Sequence, residues 1–280
     1  MREFLRLAAL LGLLGLAVIA SGILLSSLGL TPVPVSDQGT AHRTAGGNAL
    51  TLLISFGGAG LLYFMLMGRG ENWRLFKGLG GDMTIYLGIA GFMAGLFLLL
   101  PWLGLDAESF ELPASLKRWE RILEAQEAQI ETLMRALIQY ASLAFLLLTM
   151  AVAPAIAEEL FFRGALQTQL ARLMNPHLAV WLAAFIFSAI HFQVYGLVPR
   201  FILGAVMGYL TLWTGRLAPA MWAHFLNNAY ATILAYLGMH FLGHPEWIDS
   251  TYRPPLWIAL LGAGIAGGTG FWLYRRLRRA

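Results

Sequence analysis

The sequence predicts an all-α, polytopic membrane bundle of about eight transmembrane helices around a polar intramembrane cavity, and three observations predict it. Of the 280 residues, 58% are hydrophobic and only 12% are charged, about half the charged fraction of a soluble domain. Apolar runs repeatedly approach the roughly 20 residues that a helix needs to cross about 30 Å of hydrocarbon. Those runs are continuous rather than alternating, which favours helices over a barrel. The pI near 9.6 and the net charge of +4 come largely from an arginine-rich tail, which points to the headgroups of a lipid bilayer and not to nucleic acid. Cysteine is absent, so disulfides, thiolate nucleophiles and cysteine metal sites are excluded.

The elements follow in order. Arg2 and Arg6 give a basic start to an apolar run reaching Leu30. That run exceeds the roughly 7 to 15 residues of a signal-peptide core and reads as an uncleaved first span. Thr31 to Asn48 reads as a loop and Ala49 to Met67 as the second span, with Gly57, Gly58 and Gly60 allowing close helix contact. Arg69, Arg74 and Lys77 form a basic loop before the span Thr84 to Leu103. Asp106 to Arg135 is the one long polar segment. After Pro113, with Ser115 as N-cap, Leu116, Trp119, Leu123, Ile130, Leu133 and Leu137 keep an amphipathic spacing, and Glu131 to Arg135 is a favourable pair four apart. The expectation is a helix docked along the bundle or the membrane surface, ahead of a substrate gate.

Ala136 to about Leu160 is expected to kink at Pro154, with Phe161 to Leu173 continuing as a more polar helix. Spans at Leu178 to Phe192, Leu197 to Trp213 and Ala218 to Leu242 follow. Gly243 to Pro255 is a polar loop, and Leu256 to Tyr274 ends in Arg275, Arg276, Arg278 and Arg279. The basic segments place both termini in the cytoplasm by the positive-inside rule, in the cell (inner) membrane. The expected organisation is an N-terminal part over residues 1–135, a core over 136–245 and a C-terminal span with its tail over 246–280.

Inside the apolar run from Ala136 lies Ala157-Glu158-Glu159-Leu160-Phe161-Phe162-Arg163. A carboxylate at the centre of a bilayer costs on the order of 3 kcal/mol even on lenient scales, so two adjacent ones need a partner or water. On a helix Glu159 and Arg163 nearly superimpose and can pair, whereas Glu158 points about 100° away and is left to work. Alone, these residues fit a helix-locking ion cluster as well as they fit chemistry. Two further polar positions, His191 at the end of an apolar run and the pair His224 and Asn228 on one helical face, favour convergence, because polar groups in hydrocarbon need one another. Straight perpendicular helices would separate His191 from His224, so the reading requires short, tilted or broken helices between Leu178 and Leu242.

If these groups converge, a glutamate can act as general base toward a water, a histidine can hold that water, and a second histidine and an asparagine amide can donate to an oxyanion. That set describes peptide-bond hydrolysis without a covalent intermediate and with no cofactor. Glu158, His191 and His224 as zinc ligands rank second, since no His-Glu-x-x-His helix supports them. Ser188 has no nucleophile elbow and no nearby aspartate, so a serine triad fits poorly. A non-catalytic peptide-binding or immunity protein on the same scaffold is the rival from another class, and a proton-coupled transporter the third.

Glu158-Glu159-x-x-x-Arg163, Phe187-x-x-x-His191 and His224-x-x-x-Asn228, in that order, resemble the three motifs of the CAAX protease and bacteriocin-processing (abortive-infection) family of intramembrane proteases. The resemblance covers about Ala151 to Ala231, including Gly164 and the stretch Gly208 to Gly215. It implies a helical core with a cavity open toward the cytosol, and endopeptidase activity on the C-terminal or membrane-proximal part of a peptide or protein substrate. By position it makes Glu158 the activating base, His191 its partner on the water, and His224 with Asn228 the oxyanion donors. Glu159 and Arg163 become the supporting pair and Phe187 a packing residue. Asn227, three from His224, is the weaker oxyanion candidate.

Overall fold

The computed structural model describes residues 1–67, 75, 82–104, 115, 117–248 and 252–277, and among these the chain is mostly helical, with no strand. The basic loop around Arg69, Arg74 and Lys77, the residues Pro113 and Leu116, and the tail arginines Arg278 and Arg279 lie outside the described residues.

Helix α1 (Arg2–Ser27) exposes Phe4, Leu5, Leu16, Ile19 and Ile23. Outward apolar side chains of this kind mark a lipid-facing surface, and the protein is an integral membrane protein. Helix α2 runs over Gln38–Leu66, beginning well inside the expected loop. Asp37 accepts from the Thr40 backbone N–H at 2.9 Å, while the Thr40 hydroxyl accepts from the Asp37 backbone N–H at 3.0 Å. That capping box starts a helix in a stretch whose glycines and threonines lower its intrinsic propensity. Helix α3 occupies Met83–Leu103 with a 3-10 last turn.

Helix α4 (Lys117–Tyr140) is the amphipathic segment, and Glu131 and Arg135 pair at 3.0 Å. Its inward face differs from the expected stripe. Trp119 is 60% exposed, whereas Glu120 and Glu127 are buried beside half-buried Leu123 and Ile130. Two carboxylates rather than an indole therefore face the bundle at the N-terminal end of α4.

Helix α5 (Leu143–Leu170) continues through Pro154 without ending there. A π-helical stretch, Leu147–Val152, precedes the proline, and a second, Leu160–Gln167, follows the two glutamates. Bonding five residues back widens the turn, which gives a helix room for a residue that has no N–H. Helix α6 (Pro176–Ala189) has only 14 residues, about 21 Å at 1.5 Å per residue, and stops short of a full crossing. Helices α7 (Leu197–Thr214), α8 (Ala218–Leu237) and α9 (Leu256–Leu277) complete the bundle.

Among the described residues, six helices rather than about eight are long and apolar enough to cross: α1, α2, α3, α5, α7 and α9. Helix α6 is too short, and α8 carries His224, Asn227 and Asn228 in its span. Helix α8 is packed against α3, α5 and α7, so its polar side chains meet protein instead of lipid. The last span, which carries no motif, packs along α3. Glycines set that approach: a Cβ on Gly95 would lie 2.5 Å from the Ala266 nitrogen, and one on Gly262 would lie 2.7 Å from the Gly95 oxygen.

Candidate active site

The two glutamates close the α-helical turn of α5 just before its second π-helical stretch. Glu159 is wholly buried and Arg163 is 1% exposed. Arg163 Nη1 donates to Glu159 Oε1 at 2.6 Å and Nη2 donates to the Gly204 carbonyl at 3.0 Å. One turn on, Gln167 Nε2 donates to the Gly208 carbonyl at 3.0 Å. Arg163 and Gln167 thus clamp α7 onto α5 at two glycines four residues apart. The same glycines let α6 approach, since a Cβ on Gly204 would lie 3.1 Å from the Ala184 Cα and one on Gly208 would lie 2.8 Å from Val180 Cγ1. The sequence signal for this clamp is there, in Gln167 four residues after Arg163 and Gly204-x-x-x-Gly208, but only the packing pairs them.

His224, from α8, bridges the carboxylates. Its Nδ1 lies 2.8 Å from Glu159 Oε1 and its Nε2 lies 3.8 Å from Glu158 Oε2. A carboxylate only accepts, so Nδ1–H donates to Glu159 and Nε2 is presented to Glu158. Glu159 therefore orients an imidazole as well as an arginine, a link that helical phase within one segment does not give. Glu158 is 7% exposed and His224 is 4% exposed.

His191 follows the end of α6. Its Nδ1 lies 2.8 Å from the Phe187 carbonyl and donates to it, which leaves Nε2 open. Phe187 stands between the parts of the site. Its ring centroid lies 5.2 Å from that of His191, 5.9 Å from that of His224 and 4.6 Å from the Arg163 guanidinium carbon. The two histidines meet one phenyl ring because α6 is short, which meets the requirement for short or broken helices. Asn228 is half-buried and accepts at Oδ1 from Asn227 Nδ2 at 3.2 Å, so its own amide N–H groups are left to donate. Asn227, expected to be the weaker donor, is the residue that turns Asn228.

Glu158, Glu159, Arg163, Phe187 and His224 are buried, and His191 and Asn228 are half-buried. Among the described residues, no group of three or more His, Asp or Glu side chains is arranged to hold a metal ion. A surface cavity of about 440 Å³ lies elsewhere, between Pro176, His177, Trp213 and Tyr274.

Residues 140–230 match the family model described as "Rce1-like: Type II CAAX prenyl endopeptidase Rce1-like". That span includes all seven residues. The chain is also similar to the "Uncharacterized protein YpbD" of Bacillus subtilis (strain 168), with 34% identity over 101 residues. The match takes in 34% of this chain and 49% of that protein, so the chain spans about half the length of the curated relative. No solved structure matches.

Proposed function

We propose, for a chain whose residues 140–230 belong to the CAAX protease and bacteriocin-processing family, that the protein is an intramembrane endopeptidase that activates water without a metal or other cofactor. Its substrate is a peptide or protein cut near its C-terminus or beside the membrane. The observation that carries this is His224 held at 2.8 Å by one buried glutamate while its other nitrogen faces a second glutamate at 3.8 Å. A 3.8 Å gap is too long for a hydrogen bond, so His224 Nε2 stays free to meet the oxyanion that forms when a water activated by Glu158 adds to a carbonyl.

Glu158 takes the proton of that water, and the His191 Nε2 holds the water in line. The water oxygen bonds to the scissile carbonyl carbon. The resulting oxyanion is met by the Asn228 amide and by His224 Nε2–H. In that role the Glu159 carboxylate holds the His224 ring in place through Nδ1. As the C–N bond breaks, the proton on Glu158 passes to the departing amine. Residues 136–245 form the core in this reading, and the flanking spans hold it in the bilayer.

The test is proteolysis in proteoliposomes by the wild type, Glu158→Ala and His191→Ala, with and without exhaustive chelation. Loss of cleavage in both variants and indifference to chelator are expected. Cleavage that survives both substitutions sinks the reading, and cleavage lost on chelation sinks the metal-free mechanism.

A further inference from the structure

Beside the site, in the first turn of α7, Arg200 has no part in the chemistry above. Its surroundings are specific. Nη2 donates to Gln193 Oε1 at 2.8 Å. The guanidinium lies against Gly196, where a Cβ would come within 2.7 Å of Nη2 and 3.4 Å of Nη1. Glycine is required there by contact, because a methyl group would push the guanidinium out of place. Nη1 itself is buried and has no hydrogen-bond partner, an expensive state for a charged donor in a membrane protein.

The turn that carries Gln193 and Gly196 is fixed at both ends. Ser188 Oγ donates to the Leu197 carbonyl at 2.7 Å, joining α6 to the start of α7. Between His191 and Gln193, Phe192 adopts φ of 53°, a left-handed conformation that a bulky residue rarely takes and that the surrounding contacts must enforce. The turn thus sets His191 and the partner of Arg200 together. Arg200 lies within electrostatic reach of both Glu158 and Glu127, the latter buried on α4.

We propose that Arg200 is a substrate-binding residue that takes a carboxylate of the peptide through its unpartnered Nη1, in competition with Glu127 of α4. The carboxylate is that of the peptide's chain end or of an acidic side chain near the scissile bond. This rests on the peptidase reading for its substrate class. A planar carboxylate needs few donors, and the two N–H groups of Nη1 are available for one. Glu127 lies within electrostatic reach of the same cation, so an entering carboxylate competes with a charge the protein already holds. The inward turn of Glu127, against the apolar stripe expected of α4, fits the same reading, whereas Glu120 pairs with Lys117 at 3.0 Å.

The experiment measures binding of fluorescein-labelled alanine–leucine decapeptides to the full chain in detergent, on a Glu158→Gln background so that nothing is consumed. The peptides end in a free carboxylate, in an amide, or in an amide with one internal Glu or Gln. The free carboxylate or the internal Glu is expected to bind about 10- to 100-fold more tightly than its neutral counterpart. Which of the two shows the preference identifies the source of the carboxylate. Arg200→Gln is expected to bring that ratio close to one and Arg200→Lys to retain part of it. Glu127→Gln is expected to raise affinity for the charged peptide by at least about 2-fold. Equal binding of charged and neutral peptides, including no binding of either, overturns the proposal, even if Arg200→Gln fails to fold. Cleavage of the same peptides by the wild type is scored separately. A charge preference without cleavage sinks the peptidase reading and leaves Arg200 its role; cleavage without a charge preference does the reverse.

Discussion

Glu159→Ala removes the one group that holds both Arg163 and His224, and its cost follows from the geometry. Both donors converge on the same oxygen, Oε1, at 2.6 and 2.8 Å, with Arg163 and Glu159 essentially without solvent. At a charge separation of about 4 Å and an effective dielectric near 20, the ion pair contributes about 4 kcal/mol. That agrees with the roughly 3 to 5 kcal/mol lost when one partner of a buried pair is removed. The guanidinium left behind keeps the Gly204 carbonyl and the Phe187 ring, which hold it in place but do not neutralise it. The expected result is therefore a loss of about 3 to 5 kcal/mol for Glu159→Ala, a similar loss for Arg163→Met, and a double variant well short of the sum. Equilibrium unfolding in mixed micelles reads the cycle. A loss below about 1 kcal/mol for Glu159→Ala, or simple additivity, would refute the reasoning, because either means that the pair is not coupled as its distance implies.

Glu158→Gln is expected to lower the cleavage rate by about 10²- to 10⁴-fold while leaving the melting temperature near the wild-type value, since no hydrogen bond to Glu158 is lost; a parallel fall in both would mark Glu158 as structural. Gly95→Ala is expected to destabilise by about 1 to 3 kcal/mol, because its methyl group meets Ala266 and Gly262 backbone, whereas Gly264→Ala, with nothing within 4 Å of its Cβ, is the neutral control. At the start of α3 the Asp82 carboxyl is held down to about 2 by its hydrogen bonds to Thr84 and then by Arg276. A depressed carboxyl stabilises above its unfolded value of 3.8 and loses that contribution as pH falls through about 2. Thermal melts from pH 5 to pH 2 are expected to show a steeper fall for the wild type than for Asp82→Asn, and identical profiles would remove Asp82 from the account.

Composition and run length by themselves determined a helical membrane protein, because crossing hydrocarbon imposes a length and an apolarity that single segments must satisfy. The Glu159 and Arg163 pair was also legible, since residues four apart meet on any helix. The start of α2 was not: its helix begins at a side-chain cap and runs through glycines that argue for a loop. The facing of α4 was hidden for a different reason. Periodicity finds an apolar stripe, but Trp119 turns outward and Glu120 and Glu127 turn inward, which spacing within one helix does not reveal. In the same way the motifs marked Glu158, His191 and His224 as candidates without setting their distances. Those depend on α6 stopping after 14 residues and on glycines in α7 letting three helices close around Phe187. Local spacing fixes which residues share a face within one helix. Which faces meet is decided between helices, by packing and by where buried charge finds its partner.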